Sequence, residues 1–548
     1  MNNVHMLSRS QRRFLRTCAI LLAFLATISL LYTTSTLHAS NASSVTLFSP
    51  HTTPCAQDSS LGLPTDYSHA PEQPPLCANL FGTPYLESLR DHATEYCTPD
   101  SPASLTCFHT QTIPGDRIDT FCIARGAVFD STQAKYILPC TLRDIPRSSG
   151  IPSLREFHDY WYGTGAGIVI HNAIRIVPPH KSTLNLNITI SPHTIQNYTI
   201  LTKREGGQNY WHSLMEIFSM TLSLDVLQMT PTPDTNASIP LFAPSSIPNT
   251  DITLLDTADP GPFIDLWSLF AHKPIRRLPQ PSTTTPEDTT TPTNLIIPLP
   301  GASNPLWHGD WSILPCISSS LLKTFTTRIL SFYDLLPGNY YHQTPSGKEK
   351  EEEEEDPHSI TITFINRTTT RRLLDAESLL TSLSTSLHST FNLHNTNPEK
   401  INFHIQSIDF ASLPLREQLR VVRSTDILVG VHGAGLTHAM FLRSGMSAAA
   451  AVVEVLPRGL EHKGFRNLAG LVGVGYFSLH GDVDDSQRRE SRRRGMRRRK
   501  EEEEEEEEED GDDWHEMDVK VEEDRFVRAV MVAVGSLSNR GARSWDVS

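Results

Sequence analysis

Two sets of side chains in this sequence are suited to chemistry. The first lies in Asp426 to Leu442, DILVGVHGAGLTHAMFL. Ile427, Leu428, Val429 and Val431 form a short apolar run ending at Gly433-Ala434-Gly435, the pattern of a buried parallel strand handing over to a helix. Glycines at such a turn let the backbone approach a ligand, and the free N–H groups that open the helix favour an anion, most simply a phosphate. The same spacing also suits a plain packing turn in which His432 is a core side chain. The second set is Asn209, His212 and Glu216, at i, i+3 and i+7 on one helix face. An amide, an imidazole and a carboxylate side by side could bind and deprotonate a hydroxyl, although a solvated polar face has the same pattern. His212 is the first candidate base, because histidine titrates near neutral pH.

Regular elements must hold these groups. Trp211, Leu214, Met215, Phe218 and Leu222 give the Asn209 to Leu224 segment a helical stripe, entered through the loop Lys203 to Gln208. Strand-like runs occur at Thr120 to Phe129, Gly167 to Ile170, Leu184 to Ile190 and Ile252 to Asp256, with a turn and helix at Gly261 to Phe270. Asp256 and Asp265 are further site candidates. The C-terminal part is more regular. Ser359 to Ile365 alternates as a strand, followed by Arg367, Arg371 and Arg372 and a helix stripe at Leu373, Leu380, Leu383 and Leu387. Phe403 to Ile408 reads as a strand, Leu415 to Val422 as a helix, and Ala451 to Val455 as a strand beyond the opening turn. The order βαβαβαβ predicts a parallel, doubly wound sheet with its ligand at the C-terminal strand edge. Arg367, His432 and Glu454 all fall at that edge. Phe526 to Leu537 closes the chain with an amphipathic helix.

At 548 residues, 38% hydrophobic and 20% charged, the chain can bury a large core in two or more domains. Much of the net charge of -15 sits in acidic tracts at 351–356 and 501–510. The basic run 488–500 precedes the second tract, and the mutual neutralisation argues against a nucleic-acid partner. Arg9, Arg12, Arg13 and Arg16 followed by the apolar run Cys18 to Tyr32 predict a signal anchor, or a signal peptide cleaved after Ala39. The remainder would then be lumenal. Cys55, Cys77, Cys97, Cys107, Cys122 and Cys140 suit up to three disulfides of unknown pairing there, leaving Cys316 alone. Asn41, Asn187, Asn197, Asn236 and Asn366 open glycosylation sequons, of which Asn366 is expected to stay unused. Asp482-Val483-Asp484 has the DxD pattern and reads as a solvated turn.

These blocks carry a resemblance. RSTDILVGVHGAGLTHAMFL, AAVVEVLP, GYFSLHG, TITFINRTTTRRLLDAESLL, FCIARGAVFD, GPFIDLWSLF and the Asn209 to Glu216 helix together resemble family 61 glycosyltransferases. Within that family the similarity is greatest to the EGF-domain-specific O-linked N-acetylglucosamine transferases. The resemblance implies an α/β fold of GT-B type, with two Rossmann-like domains facing a cleft. It implies inverting transfer from a UDP-sugar, most simply UDP-GlcNAc, to hydroxyls of secreted or membrane proteins. The domains would be an N-terminal anchor (1–39), a stem and Cys-containing cap (40–119), an acceptor-side domain (120–345) and a nucleotide-sugar domain (346–548) with insertions at 348–356 and 488–513. The turn His432, Gly433, Ala434, Gly435, Leu436 and Thr437 would hold the diphosphate, with Arg367 and either Arg371 or Arg423 neutralising it. Glu454 would face the ribose or uracil, and Asn209, His212 and Glu216 the acceptor. Ala271, His272 and Lys273 stand where close relatives carry an Asp-x-Asp segment, so no metal or other cofactor is expected. The chain ends Trp545-Asp546-Val547-Ser548 rather than in a retrieval signal, so a type II membrane protein of the endoplasmic reticulum or Golgi lumen is expected. Xylosyl or other transfer to glycans, and a lumenal sugar-binding protein without turnover, are the competing readings.

Overall fold

The computed structural model describes residues 61–68, 72–110, 118–179, 195–233, 239–279, 291–336, 359–392, 401–443, 449–483, 517–538 and 544–546. The N-terminal basic and apolar run, Cys55, the sequons at Asn41, Asn187 and Asn236, the run Leu184 to Ile190, Asp484 and both charged insertions lie outside these residues. Ile145–Pro152 belong to one unit, regular among the described residues only at the 3₁₀ turn Arg147–Ser149. The remaining described residues form the other unit, which contains both sheets.

The first sheet contains β1 (Ala93–Glu95), β2 (Ser104–Thr110), β3 (Asp119–Asp130), β4 (Lys135–Pro139), β5 (Ile174–Val177), β6 (Tyr198–Thr202), β7 (Thr250–Leu254), β8 (Arg276–Arg277) and β9 (Thr293–Ile297). Its main path runs β1-β2-β3-β9-β6-β7-β8. Strands β9, β6, β7 and β8 pair in parallel, whereas β1, β2, β3 and β9 pair antiparallel. A Rossmann-like sheet was expected here, and the described sheet is instead mixed. Five helices accompany it: α1 (Pro75–Phe81), α2 (Pro84–Asp91), α3 (Ala166–Ala173), α4 (Tyr210–Met229) and α5 (Ser320–Phe332). Gly167 to Ile170, expected as a strand, lies in α3 with Ala166, Val169, Ile170 and Ala173 buried. Four apolar residues in a row do not distinguish a strand from a helix, and the i, i+3, i+4, i+7 burial does. Helix α4 is buried on nearly every side, with Glu216 included. The alternative reading of a solvated polar face does not fit a helix buried in this way.

The second sheet contains β10 (Ser359–Ile365), β11 (Asn402–Ile408), β12 (Ile427–Val431), β13 (Ala451–Pro457), β14 (Gly475–Val483), β15 (Val519–Lys520) and β16 (Ser544–Asp546), in the order β11-β10-β12-β13-β14-β15 with β16 on β14. All pairs from β11 to β14 are parallel. Every residue of β12 and β13 is buried, as continuous apolar runs covered on both faces require. Helices α6 (Ala376–Leu387) and α9 (Glu523–Ser538) cover one face through Leu379, Leu383, Phe526 and Val530. Between them in sequence lie α7 (Leu415–Arg423) and α8 (Gly464–Val472), whose Leu419, Val422, Phe465 and Leu468 join a second apolar core shared with α4 and α5. The doubly wound reading of this half thus holds.

Among the described residues three disulfides tie the N-terminal region: Cys77–Cys316, Cys97–Cys140 and Cys107–Cys122. Cys316 is not alone. Its partner lies 239 residues away, a separation at which spacing carries no pairing information. The pairing joins α1 to the segment entering α5. A Cys77→Ser, Cys316→Ser double variant should lose about 2–5 kcal/mol of stability, read as a lower Tm with the other two bridges intact.

Candidate active site

The edge of the second sheet concentrates positive charge at one glycine. Gly433 follows β12 at φ 143°, a conformation open to residues without a Cβ. A Cβ placed there would lie 2.8 Å from Nη1 of both Arg367 and Arg371. Arg367 is braced by Nε donating to Thr370 O at 2.8 Å, and Arg371 Nη1 donates to His432 O at 3.3 Å. Arg371 itself adopts φ 53°, a strained value for a residue with a side chain. Burial, with the Arg367 charge adding, pulls the Arg371 guanidinium down to about 10. Two partly desolvated like charges converging on a bare backbone form an arrangement that an anion would relieve.

The chain then winds as a 3₁₀ helix over Ala434–Phe441, not the α-helix expected. Its first hydrogen bond runs from Leu436 N–H to Gly433 O at 2.9 Å, so the Ala434 and Gly435 amides precede the helical ladder. Leu436 and Thr437 are fully buried. Arg423 sits elsewhere. It ends α7 before β12 begins and donates to Phe441 O at 3.1 Å, at the opposite edge of the sheet from His432. Glu454, expected to face the ribose or uracil, is 1% exposed and occupied by two protein partners. Its Oε1 lies 2.6 Å from His432 Nδ1, and its Oε2 accepts from Tyr476 OH at 2.5 Å. Glu454 pairs with Gly430 across β12 and β13, and the space that a Gly430 side chain would take is filled by Leu436 and Ile365. The carboxylate fixes the imidazole, whose pKa is lowered by burial against the opposing pull of Glu454.

The second set of residues is built by the loop before α4. Arg204 is clamped by Asp256 at 2.6 Å and by the carbonyls of Ala258, Asp259 and Pro260. Asp256 is thereby a structural partner, and Asp265 likewise accepts from Tyr333 OH at 2.6 Å. The clamp places Glu205, whose Oε2 lies 3.2 Å from His212 Nδ1 and whose Oε1 accepts from Ala302 N–H at 2.7 Å. The His212 side chain is 14% exposed against 1% for Glu205. With Nδ1 held by a carboxylate, Nε2 points away from it, the geometry of an oriented general base. Asn209 caps α4, its Oδ1 accepting from Trp211 N–H at 3.0 Å, so it shapes the helix start. Glu216 Oε1 accepts from Glu205 N–H and so supports the loop from beneath. The carboxylate missed from sequence is Glu205, seven residues before His212 across a Gly-Gly turn. An acidic residue just ahead of a capped helix was its only signal.

A run of rings links the two sets. Tyr162 packs on His212 at 5.3 Å, His212 on Trp307 at 4.8 Å, Trp307 on Trp211 at 5.9 Å, Trp211 on Phe465 at 6.0 Å and Phe465 on His432 at 5.4 Å. Asp482, of the DxD sequence, pairs with Arg458 at 2.8 Å on the surface. Burial raises the Glu216 carboxyl from an ordinary 4.5 to about 8. The folded state then holds this proton more tightly than the unfolded chain, so the group's contribution to stability falls as pH rises from 4.5 to 8. Glu216→Gln should flatten the dependence of Tm on pH in that window, read by thermal denaturation over a series of pH values.

Residues 210–452 match the family model described as Glycosyltransferase 61, a span that includes His212, Arg367, Arg371 and the turn at Gly433. The chain is similar to proteins named EGF domain-specific O-linked N-acetylglucosamine transferase. To that of Drosophila melanogaster it is 26% identical over 283 residues, 51% of this chain and 44% of the relative. To that of Bos taurus it is 29% identical over 183 residues, 33% of this chain and 28% of the relative. To that of Pan troglodytes it is 34% identical over 122 residues, 22% of this chain and 20% of the relative. The matches thus span less than half the length of these relatives.

Proposed function

We propose, from the assignment to glycosyltransferase family 61 that the family model and the curated relatives support, that this protein is an inverting transferase of N-acetylglucosamine. The donor is UDP-GlcNAc and the acceptor a Ser or Thr hydroxyl of an EGF-like domain. The observation that carries the reading is the pair of guanidiniums over Gly433, linked by packed rings to a carboxylate-backed imidazole. His212 Nε2 takes the hydroxyl proton as the acceptor oxygen attacks the anomeric carbon. The bond from that carbon to the diphosphate oxygen breaks on the opposite face. Glu205 holds the imidazole and balances its charge. Arg367, Arg371 and the Ala434 and Gly435 amides stabilise the departing diphosphate, and His432, steadied by Glu454, borders the same site. Preorganised donors of this kind supply much of a catalytic effect, and two guanidiniums can supply it without a divalent cation. The proposed architecture is of GT-B type, and the three disulfides suit a lumenal compartment behind an N-terminal anchor.

The test is transfer by the chain to an EGF-like domain from a panel of nucleotide sugars, with and without EDTA. UDP-GlcNAc is expected to be used and EDTA to leave the rate within about twofold. Preference for another UDP-sugar and a glycan acceptor would favour the glycan-directed reading. UDP binding without transfer or hydrolysis would favour the sugar-binding one.

A further inference from the structure

Tyr476, Glu454 and His432 form a hydrogen-bonded chain that ends beside the guanidinium pair. The Tyr476 hydroxyl donates to Glu454 Oε2 at 2.5 Å, and Glu454 Oε1 lies 2.6 Å from His432 Nδ1. All three residues are buried, on the neighbouring strands β14 and β13 and just past the end of β12. Burial and the adjoining carboxylate push the Tyr476 hydroxyl well above its ordinary range, so it stays a donor and Glu454 Oε2 accepts. The other charged or titratable groups around the chain come from the segment after β10 and from around α8. Arg371, with Arg367 beside it, donates to the His432 carbonyl at 3.3 Å. His462, backed by Asp310 at 3.7 Å, sets its ring 4.6 Å from that of His432, and Arg466 acts on Tyr476. Burial, His462 and Arg371 oppose a proton on His432, whereas Glu454 favours one.

We infer that an anion bound at the Gly433 turn loads a proton onto His432, making its imidazolium the third cation of the site, an inference that rests on the diphosphate site proposed above. Without an anion, the charges of Arg367 and Arg371 face the imidazole, and a further proton would add a third like charge in a buried space. An anion seated on the guanidiniums cancels that repulsion. Glu454 meanwhile stays at Nδ1 and balances the charge that arrives. Neutral His432 donates Nδ1–H to Glu454, so the proton taken from solvent goes to Nε2. Because the anion raises the pKa of His432, the gain in affinity is full at low pH and is lost as pH rises through the pKa of the bound form.

The experiment titrates UDP into the full chain by calorimetry at pH 7 in two buffers of different ionisation enthalpy, which counts the protons exchanged. Uptake of about half a proton or more per UDP is expected, with affinity about 3- to 10-fold weaker at pH 8 than at pH 7. The other groups at the site do not mimic this. A terminal phosphate, with a pKa of about 6, releases protons rather than taking them up beside guanidiniums. Arg371, pulled down to about 10, is already charged at pH 7. His432→Gln should bind UDP more weakly and abolish the uptake, and Glu454→Gln, which removes the balancing charge, should reduce it. UDP binding by the wild-type chain without uptake would overturn the inference, as would undiminished uptake by a folded His432→Gln or Glu454→Gln chain. ADP is the second probe. If ADP binds as tightly as UDP with the same uptake, the UDP-sugar reading sinks and the linkage stands; failure to bind either nucleotide overturns both.

Discussion

His212→Ala should lower kcat for transfer by roughly 10²–10⁴-fold while leaving UDP affinity within about twofold. The imidazole lies beyond Trp307, Trp211 and Phe465 from the turn at Gly433, so removing it is expected to strip proton transfer without touching the anion site. Glu205→Gln should fall between wild type and His212→Ala. A glutamine keeps the shape and the bond from Ala302 N–H but removes the charge that balances an imidazolium. The two substitutions should not be additive, because Glu205 acts through His212; the double variant should match His212→Ala alone. Initial rates with saturating UDP-sugar over a series of pH values separate these cases. Near-normal turnover by a folded His212→Ala chain would remove it as the base. The base would then be sought at His432, the other imidazole backed by a carboxylate.

Gly433→Ala should reduce kcat/KM by more than about 10²-fold, and Arg371→Ala by 10²–10³-fold, the range for deleting one preorganised donor. The alanine methyl would meet two guanidinium nitrogens at 2.8 Å and require φ 143° of a residue with a side chain, so both arginines must move. Gly435 provides the contrast. A Cβ there would meet a methyl of Ile365 at 3.2 Å, which a small shift accommodates, so Gly435→Ala should cost less than about tenfold in kcat/KM. UDP titration calorimetry distinguishes loss of the anion site from general unfolding, because Arg371→Ala removes charge without adding bulk. If Arg371→Ala binds UDP as wild type does, the guanidinium pair is not the diphosphate site.

The C-terminal sheet was legible because each of its strands is a local apolar run and each turn a local glycine or charge. β12 and β13 lie where their composition says, and Arg367, Arg371 and His432 meet at the edge that strand order predicts. The surroundings of His212 were legible only in part. Residue type singled out His212, but helical spacing proposed Glu216 as its neighbour. The burial of α4 turns Glu216 inward, while a loop carbonyl-and-carboxylate clamp on Arg204 brings Glu205 to the imidazole.

Composition and periodicity by themselves determined that there is a doubly wound sheet, a glycine turn at its edge and a long helix with a histidine near its start. These depend on interactions within a few residues, which the order of side chains encodes directly. Tertiary structure alone decided the partners: Cys316 with Cys77, Glu454 with His432 rather than toward a ligand, Arg423 at the far edge, and Glu205 behind His212. Each choice is made by a direction in space. A carboxylate's neighbour is fixed by which way its strand or loop is packed, and that packing is settled by apolar contacts far away in the chain.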